Sequence, residues 1–212
     1  MNRKILVGIL AIGLIALAVG WGTYSQFSDT EKTETSFSAG SLDLRIWRTV
    51  WNGTHWVWAP FNGQQVNFTF SNLRPGNQPR CPIILENIGT IKGYLDISSI
   101  VVISEENGLT EPEIEAGDTS ENTGELDDVL YLRLWLDYDH DGSISTGDKM
   151  IYSGPVKNLP SSFMDLNEPI EPGGGVDFIV ELYDWWQHGN IDNQAQTDTL
   201  SITFTFLLSQ NP

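Results

Sequence analysis

The segment 129–136 constrains this chain most. In it Leu130, Leu132, Leu134 and Leu136 alternate with Tyr131, Arg133 and Trp135. Successive side chains on an extended backbone point to opposite faces, so this spacing gathers four leucines on one side. A helix, which repeats every 3.6 residues, cannot do so. The same period recurs at Leu42, Leu44 and Ile46, at Val66, Phe68 and Phe70, and at Val176, Phe178, Val180 and Leu182. It returns at Leu200, Ile202, Phe204, Phe206 and Leu208, while residues 82–87 and 94–104 read as two more strands. About eight strands and no amphipathic helix predict an all-β fold: an antiparallel β-sandwich, jelly-roll-like, with long loops.

The N-terminal region reads differently. Arg3 and Lys4 precede an uncharged run at 5–20 rich in Ile, Leu, Val, Ala and Gly, the pattern of an export signal. Thr23, Tyr24 and Ser25 form a small-x-small triplet just before the first acids, Asp29 and Glu31, which places cleavage by a signal peptidase after Ser25. The competing reading is an uncleaved anchor, because the run approaches the ~18 residues of a membrane-spanning helix. The expected organisation is a signal peptide at 1–25, a polar arm at 26–36 and one sandwich domain at 37–212. Membrane contact is expected only through the uncleaved signal. Strand 1 is expected to begin near Phe37.

Charge narrows the partners. The chain has 11 basic and 28 acidic residues and a net charge of −17. Losing Arg3 and Lys4 with the signal makes the mature part more acidic still, which disfavours nucleic acids and anionic membranes and favours metal cations as counterions. Cys81 is the single cysteine, so no internal disulfide framework exists; it reads as a small buried hydrophobe, with pairing between molecules as the less favoured alternative.

One segment carries a sharp chemical signature: DYDHDGSISTGD at 137–148. Asp137, Asp139 and Asp141 occupy positions 1, 3 and 5 of an EF-hand-like loop, Gly142 falls where the chain must turn, and Asp148 closes position 12. Ser143 would give its carbonyl, and Ser145 would bind directly or through water. Hard carboxylate oxygens at this spacing suit a structural Ca2+, with Asp in place of the usual closing Glu weakening affinity. A metal-free Asp-rich turn is the alternative. The loop follows a strand and has no flanking helix pair, so it reads as a staple rather than a sensor.

Residues 105–128 hold roughly ten acids and no base and read as a solvated loop, with a second cation site the less favoured alternative. Residues 47–61, with Trp47, Trp51, Trp56 and Trp58, read as an aromatic loop that closes one end of the sandwich or stacks on sugars. A loop at 184–196 with Trp185 and Trp186 would cover an end as well. Residues 160–165 suggest a helical turn, and 171–175 a flexible bend. Asn52 and Asn67 begin N-x-Thr sequons, possible glycan sites if they face solvent.

The order of a hydrophobic signal, GTYSQFSDTE, a Thr/Ser-rich spacer and FSAGSLDL at 37–44 resembles the TasA and camelysin family of exported filament proteins. So do NLRPG at 72–76, ENIG at 86–89 with YLDI at 94–97, and NQAQTDTLSITFTF at 193–206. The resemblance implies a secreted subunit of an extracellular filament or pilus, a homopolymer in the biofilm matrix or between cells. Its arm, with Gln26, Phe27, Ser28, Asp29 and Thr30, would add as a strand to a neighbour's sheet, as in donor-strand complementation. Phe27 is the one large apolar residue of that arm. Camelysin-like relatives are classed as metallopeptidases, yet His55, His140 and His188 lie in separate loops, with no His-Glu-x-x-His, Gly-x-Ser-x-Gly or Cys–His pairing. A non-catalytic protein is expected. The alternative function is a monomeric, calcium-stabilised surface sandwich that binds polysaccharide through its tryptophans.

Overall fold

Each period-two segment folds as a strand over most of its length, but Val129 ends a short helix that Leu130 caps, so the strand expected at 129–136 begins at Tyr131. The computed structural model describes residues 39–73, 78–183 and 191–211. The expected signal, its cleavage point, the 26–36 arm, part of the Pro-Gly turn at 74–77, and Trp185, Trp186 and His188 lie outside the described residues. The strands are β1 (Leu44–Trp51), β2 (Trp56–Phe61), β3 (Gln65–Ser71), β4 (Arg80–Asn87), β5 (Gly93–Glu105), β6 (Tyr131–Asp137), β7 (Lys149–Pro155), β8 (Phe163–Ile170), β9 (Gly175–Tyr183) and β10 (Thr199–Ser209). Three short helices join them: α1 (Glu111–Glu115), α2 (Leu126–Val129) and α3 (Ile191–Gln194).

The strands form a six-stranded sheet, β2-β1-β4-β9-β6-β7, and a four-stranded sheet, β3-β10-β5-β8. Every pairing between them is antiparallel. Apart from β1–β2 and β6–β7, each consecutive pair passes from one sheet to the other, the winding of a jelly-roll sandwich. The predicted inner faces meet between the sheets: Leu132, Leu134 and Leu136 of β6 and Val176, Phe178, Val180 and Leu182 of β9 pack with Leu200, Ile202, Phe204 and Phe206 of β10. Phe178 sits edge-on to both Phe204 and Phe206 at 5.2 Å between ring centres, the geometry that aromatic quadrupoles favour. Burying each such ring stabilises the fold by about 2–3 kcal/mol.

Several expectations need correction. Residues 47–61 are a hairpin rather than a loop, with Asn52 turning the chain: its Oδ1 accepts the N–H groups of Thr54 (3.0 Å) and His55 (2.9 Å). Its tryptophans do not close the core, since Trp51, Trp56 and Trp58 are exposed. β2 pairs with β1 along its whole length, and aromatic and β-branched residues suit such a pleated surface even where one face stays exposed. Residues 160–165 form no helical turn; β8 begins at Phe163, and the short helical turn falls earlier, at Val156–Asn158. The described residues before Leu44 are not strand. The Ser41 and Asp43 carbonyls instead accept the N–H groups of Thr90 and Ile88 beyond β4.

The acidic stretch is only partly solvated. β5 runs to Glu105, and Glu113 and Asp118 are buried. Glu113 turns inward because its Oε2 accepts the Thr110 N–H (2.5 Å) at the start of α1 while its Oε1 accepts the Thr197 N–H (3.1 Å). Cys81 is part-buried beside the core, and burial pushes its thiol pKa up.

Candidate functional site

The 137–148 loop joins two neighbouring strands, so its ends are fixed by the β6–β7 ladder and by pairing of Asp137 with Asp177 on β9. Asp137 is fully buried and caps the turn: Oδ1 accepts the His140 N–H and Oδ2 the Gly142 N–H, both at 2.7 Å. The backbone enters the left-handed region at His140 (φ 59) and Gly142 (φ 72), which lets three alternate aspartates converge. Oxygens of Asp137, Asp139 and Asp141 lie within 4.8 Å of one another. Ser145 Oγ donates to Asp139 Oδ2 at 3.2 Å, and the Ser143 N–H to Asp141 Oδ1 at 2.6 Å.

Asp148 does not join that trio. It closes the loop by accepting the N–H groups of Ser145 (2.6 Å) and Tyr138 (3.2 Å), and chiefly the Ser145 amide holds its pKa below the usual carboxylate range. Of the expected ligand set, Asp137, Asp139 and Asp141 therefore come together, with Ser145 bonded to one of them.

Three residues the spacing did not reveal anchor this loop. Arg80 Nη1 donates to the Gly142 carbonyl, while its Nη2 pairs with buried Glu181 at 2.7 Å. His140 Nδ1 lies 2.8 Å from Asp177 Oδ1. Burial raises the Asp177 pKa and Asp137 adds to that, against the opposing pull of His140. A motif reads residues near in sequence, and these partners come from β4 and β9.

Two surface features bear on the alternatives. A shallow cleft of about 400 Å³ runs between Trp47, Trp58, Ile84, Glu86 and His140, with Trp47 Nε1 donating to Glu86 Oε2 at 2.8 Å. On another side, β7 pairs only with β6 and β8 only with β5 among the described residues, so two sheet edges border one seam. A groove of about 400 Å³ lies there, lined by Met150, Ile151, Phe163, Met164 and Leu166. Lys149 crosses the seam, donating to the Leu166 carbonyl (2.9 Å) and Glu168 Oε2 (3.1 Å). Asn52 and Asn67 are both exposed, the steric condition for a glycan.

Comparison with known proteins finds a family model, Camelysin metallo-endopeptidase, matching residues 1–212. A curated relative, the "Major biofilm matrix component" of Bacillus subtilis (strain 168), is 30% identical over 91 residues, covering 43% of this chain and 29% of the relative. The match therefore spans less than a third of that relative's length.

The family's description implies a catalytic metal, for which zinc with nitrogen ligands and an open position is the usual form. The described residues do not fit it. Among them the side-chain groups close enough to hold a metal consist of carboxylates alone; neither His55, on the exposed hairpin turn, nor His140, paired with Asp177, belongs to one. Oxygen-only sets suit hard cations such as Ca2+.

Proposed function

The chain belongs to the camelysin metallo-endopeptidase family, and from that premise we propose that it is an exported structural subunit of an extracellular matrix filament rather than a peptidase. Similarity to a biofilm matrix protein supports the setting. The observation that carries assembly is the seam between β7 and β8, where two open strand edges flank an apolar groove with half-exposed Met150 and Met164. Unpaired edges beside apolar surface attract another strand. The 26–36 arm of a second copy supplies one: 11 residues reach ~35 Å when extended, longer than either edge, and Phe27 provides a side chain for the groove. Each subunit gives one arm and receives one, a head-to-tail contact that propagates as a fibre.

In this reading the 137–148 loop holds Ca2+ through Asp137, Asp139 and Asp141, with Ser143, Ser145 and Asp148 completing or supporting the site. The ion fixes the end of β6 against β9. Electron microscopy tests assembly: wild-type protein forms filaments, and deleting residues 26–35 leaves folded monomer. Filaments of normal length from the deletion variant would overturn the donor-strand reading. Purified protein should also leave casein uncut, and metal-dependent cleavage lost on His140→Ala would restore the peptidase.

The exposed Trp51, Trp56 and Trp58 favour a second reading, polysaccharide binding by a monomer. Affinity electrophoresis in matrix polysaccharide separates the two: retardation abolished by Trp56→Ala, without filaments, supports it.

A further inference from the structure

The acids between β5 and β6 converge with one acid from the start of β10. Oxygens of Glu106, Asp118 and Glu125 lie within 4.8 Å of one another, as do those of Glu106, Glu113 and Asp198, so Glu106 belongs to both groups. Glu113 is accounted for, because Thr110 and Thr197 satisfy its two oxygens. The other four each have one oxygen occupied: Glu106 Oε1 accepts the Gly108 N–H (2.7 Å), Asp118 Oδ1 the Ser120 N–H (2.8 Å), Glu125 Oε1 the Ser120 hydroxyl (2.5 Å) and Asp198 Oδ2 the Glu125 N–H (2.6 Å). Their remaining oxygens, Glu106 Oε2, Asp118 Oδ2, Glu125 Oε2 and Asp198 Oδ1, are buried with no hydrogen-bond partner.

That pattern differs from an acidic surface loop. Asp198 is 2% exposed and Asp118 6%. A buried carboxylate oxygen without a donor is costly, and Glu106, Asp118 and Glu125, with oxygens within 4.8 Å of one another, repel as well. No compensating base is near in sequence, since residues 93–132 contain no Lys, Arg or His. No ion pair among the described residues reaches these four acids. Burial, with repulsion from Glu106 and Glu125, pushes the Asp198 pKa up to about 7. The backbone is also shaped around Asp198: a Cβ on Gly124 would lie 2.8 Å from its Oδ2. Hydrogen bonds thus leave one buried oxygen free on each of Glu106, Asp118 and Glu125, acids that converge within 4.8 Å, and Asp198 adjoins them through Glu106.

We propose that Glu106, Asp118 and Glu125 bind one hard divalent cation of the Ca2+ class, at a site separate from the 137–148 loop, with Asp198 beside it holding the Glu125 N–H. Three carboxylates without nitrogen or sulfur select a hard ion, and their origin on irregular connections suits the variable six- to eightfold coordination of Ca2+, completed by water, rather than the rigid octahedron of Mg2+. The ion ties Glu106, just after β5, to Asp118 and Glu125, and the Glu125 N–H in turn holds Asp198 just before β10, a strand central to the four-stranded sheet.

The test uses the full chain carrying Asp139→Ala, so that the loop does not mask the cluster. After chelator treatment, calorimetric titration with CaCl2 should find one ion per chain, and Ca2+ should raise the melting temperature. Adding Asp118→Asn and Glu125→Gln should weaken binding at least tenfold and abolish that rise, while the chelated protein melts no lower than before because repulsion is relieved. Should that variant fail to fold, Asp118→Asn alone is titrated, with the same tenfold weakening expected. Unchanged affinity in these variants, or loss of all Ca2+ binding through Asp139→Ala alone, overturns the proposal and leaves the carboxyls sharing protons.

Discussion

Asn87 is the buried polar residue on which the end of the sandwich beside β4 depends. It is fully buried, and its Nδ2 donates to the carbonyls of Ile91 (2.9 Å) and Ile170 (3.0 Å) while its Oδ1 accepts the Gly89 N–H (3.0 Å). Its backbone adds two bonds, N–H to the Gly174 carbonyl and C=O from the Gly173 N–H, so this one residue ties the turn after β4 to the ends of β8 and β9. Asn87→Ala deletes three side-chain bonds at about 1 kcal/mol each and strands buried carbonyls, for a loss of about 3–5 kcal/mol. For a domain of this size that corresponds to roughly 10 °C in Tm. Asn87→Asp keeps the shape but turns a carboxylate towards two carbonyls, and should cost at least as much. Urea unfolding followed by tryptophan fluorescence measures both. Losses under about 1 kcal/mol would refute the claim that the side chain knits these turns together.

Glu181→Gln should destabilise by about 2–3 kcal/mol, because Glu181 is 2% exposed between Arg80 (2.7 Å) and Arg133 (2.6 Å), both half-exposed and so partly repaid by water; urea midpoints check this, and no change would show that solvent already screens both pairs. Asp139→Ala should reduce the calcium-dependent rise in stability by about 2–3 kcal/mol at a hundredfold excess of Ca2+ over Kd. Differential scanning calorimetry with and without chelator reads it, and an unchanged rise would make the loop only a turn.

The strands of the core were legible because each faces water or neighbours on one side and the core on the other. β6, β9 and β10 keep apolar residues at every second position, and their inner faces are those the alternation marks. β8 was not legible: Asn167, at φ 47, and Pro169 interrupt its pattern. β2 was hidden because its hairpin leaves tryptophans exposed, so the tryptophan cluster argued for a loop lining while pairing with β1 made a strand.

The converging trio of the aspartate loop could be read from spacing, since a tight turn is local. Its supports Arg80, His140 and Asp177 could not, because β4 and β9 bring two of them from far along the chain. The buried acids were misjudged for the same reason. Asp198 lies some 70 residues beyond Glu125, and only the fold shows that its carboxylate accepts the Glu125 N–H at 2.6 Å.

Cross-linking tests subunit exchange most directly. Phe27→Cys and Met164→Cys are placed together in a chain carrying Cys81→Ser, and the purified protein is allowed to assemble under mild oxidation. Met164 is half-exposed in the β7–β8 groove, where a neighbour's arm would bring residue 27 within disulfide reach. The account predicts a ladder of covalent multimers on a denaturing gel, present only when both cysteines are present and absent when residues 26–35 are deleted. Filaments that form normally while the double-cysteine chain yields no ladder beyond the single-cysteine controls would contradict it.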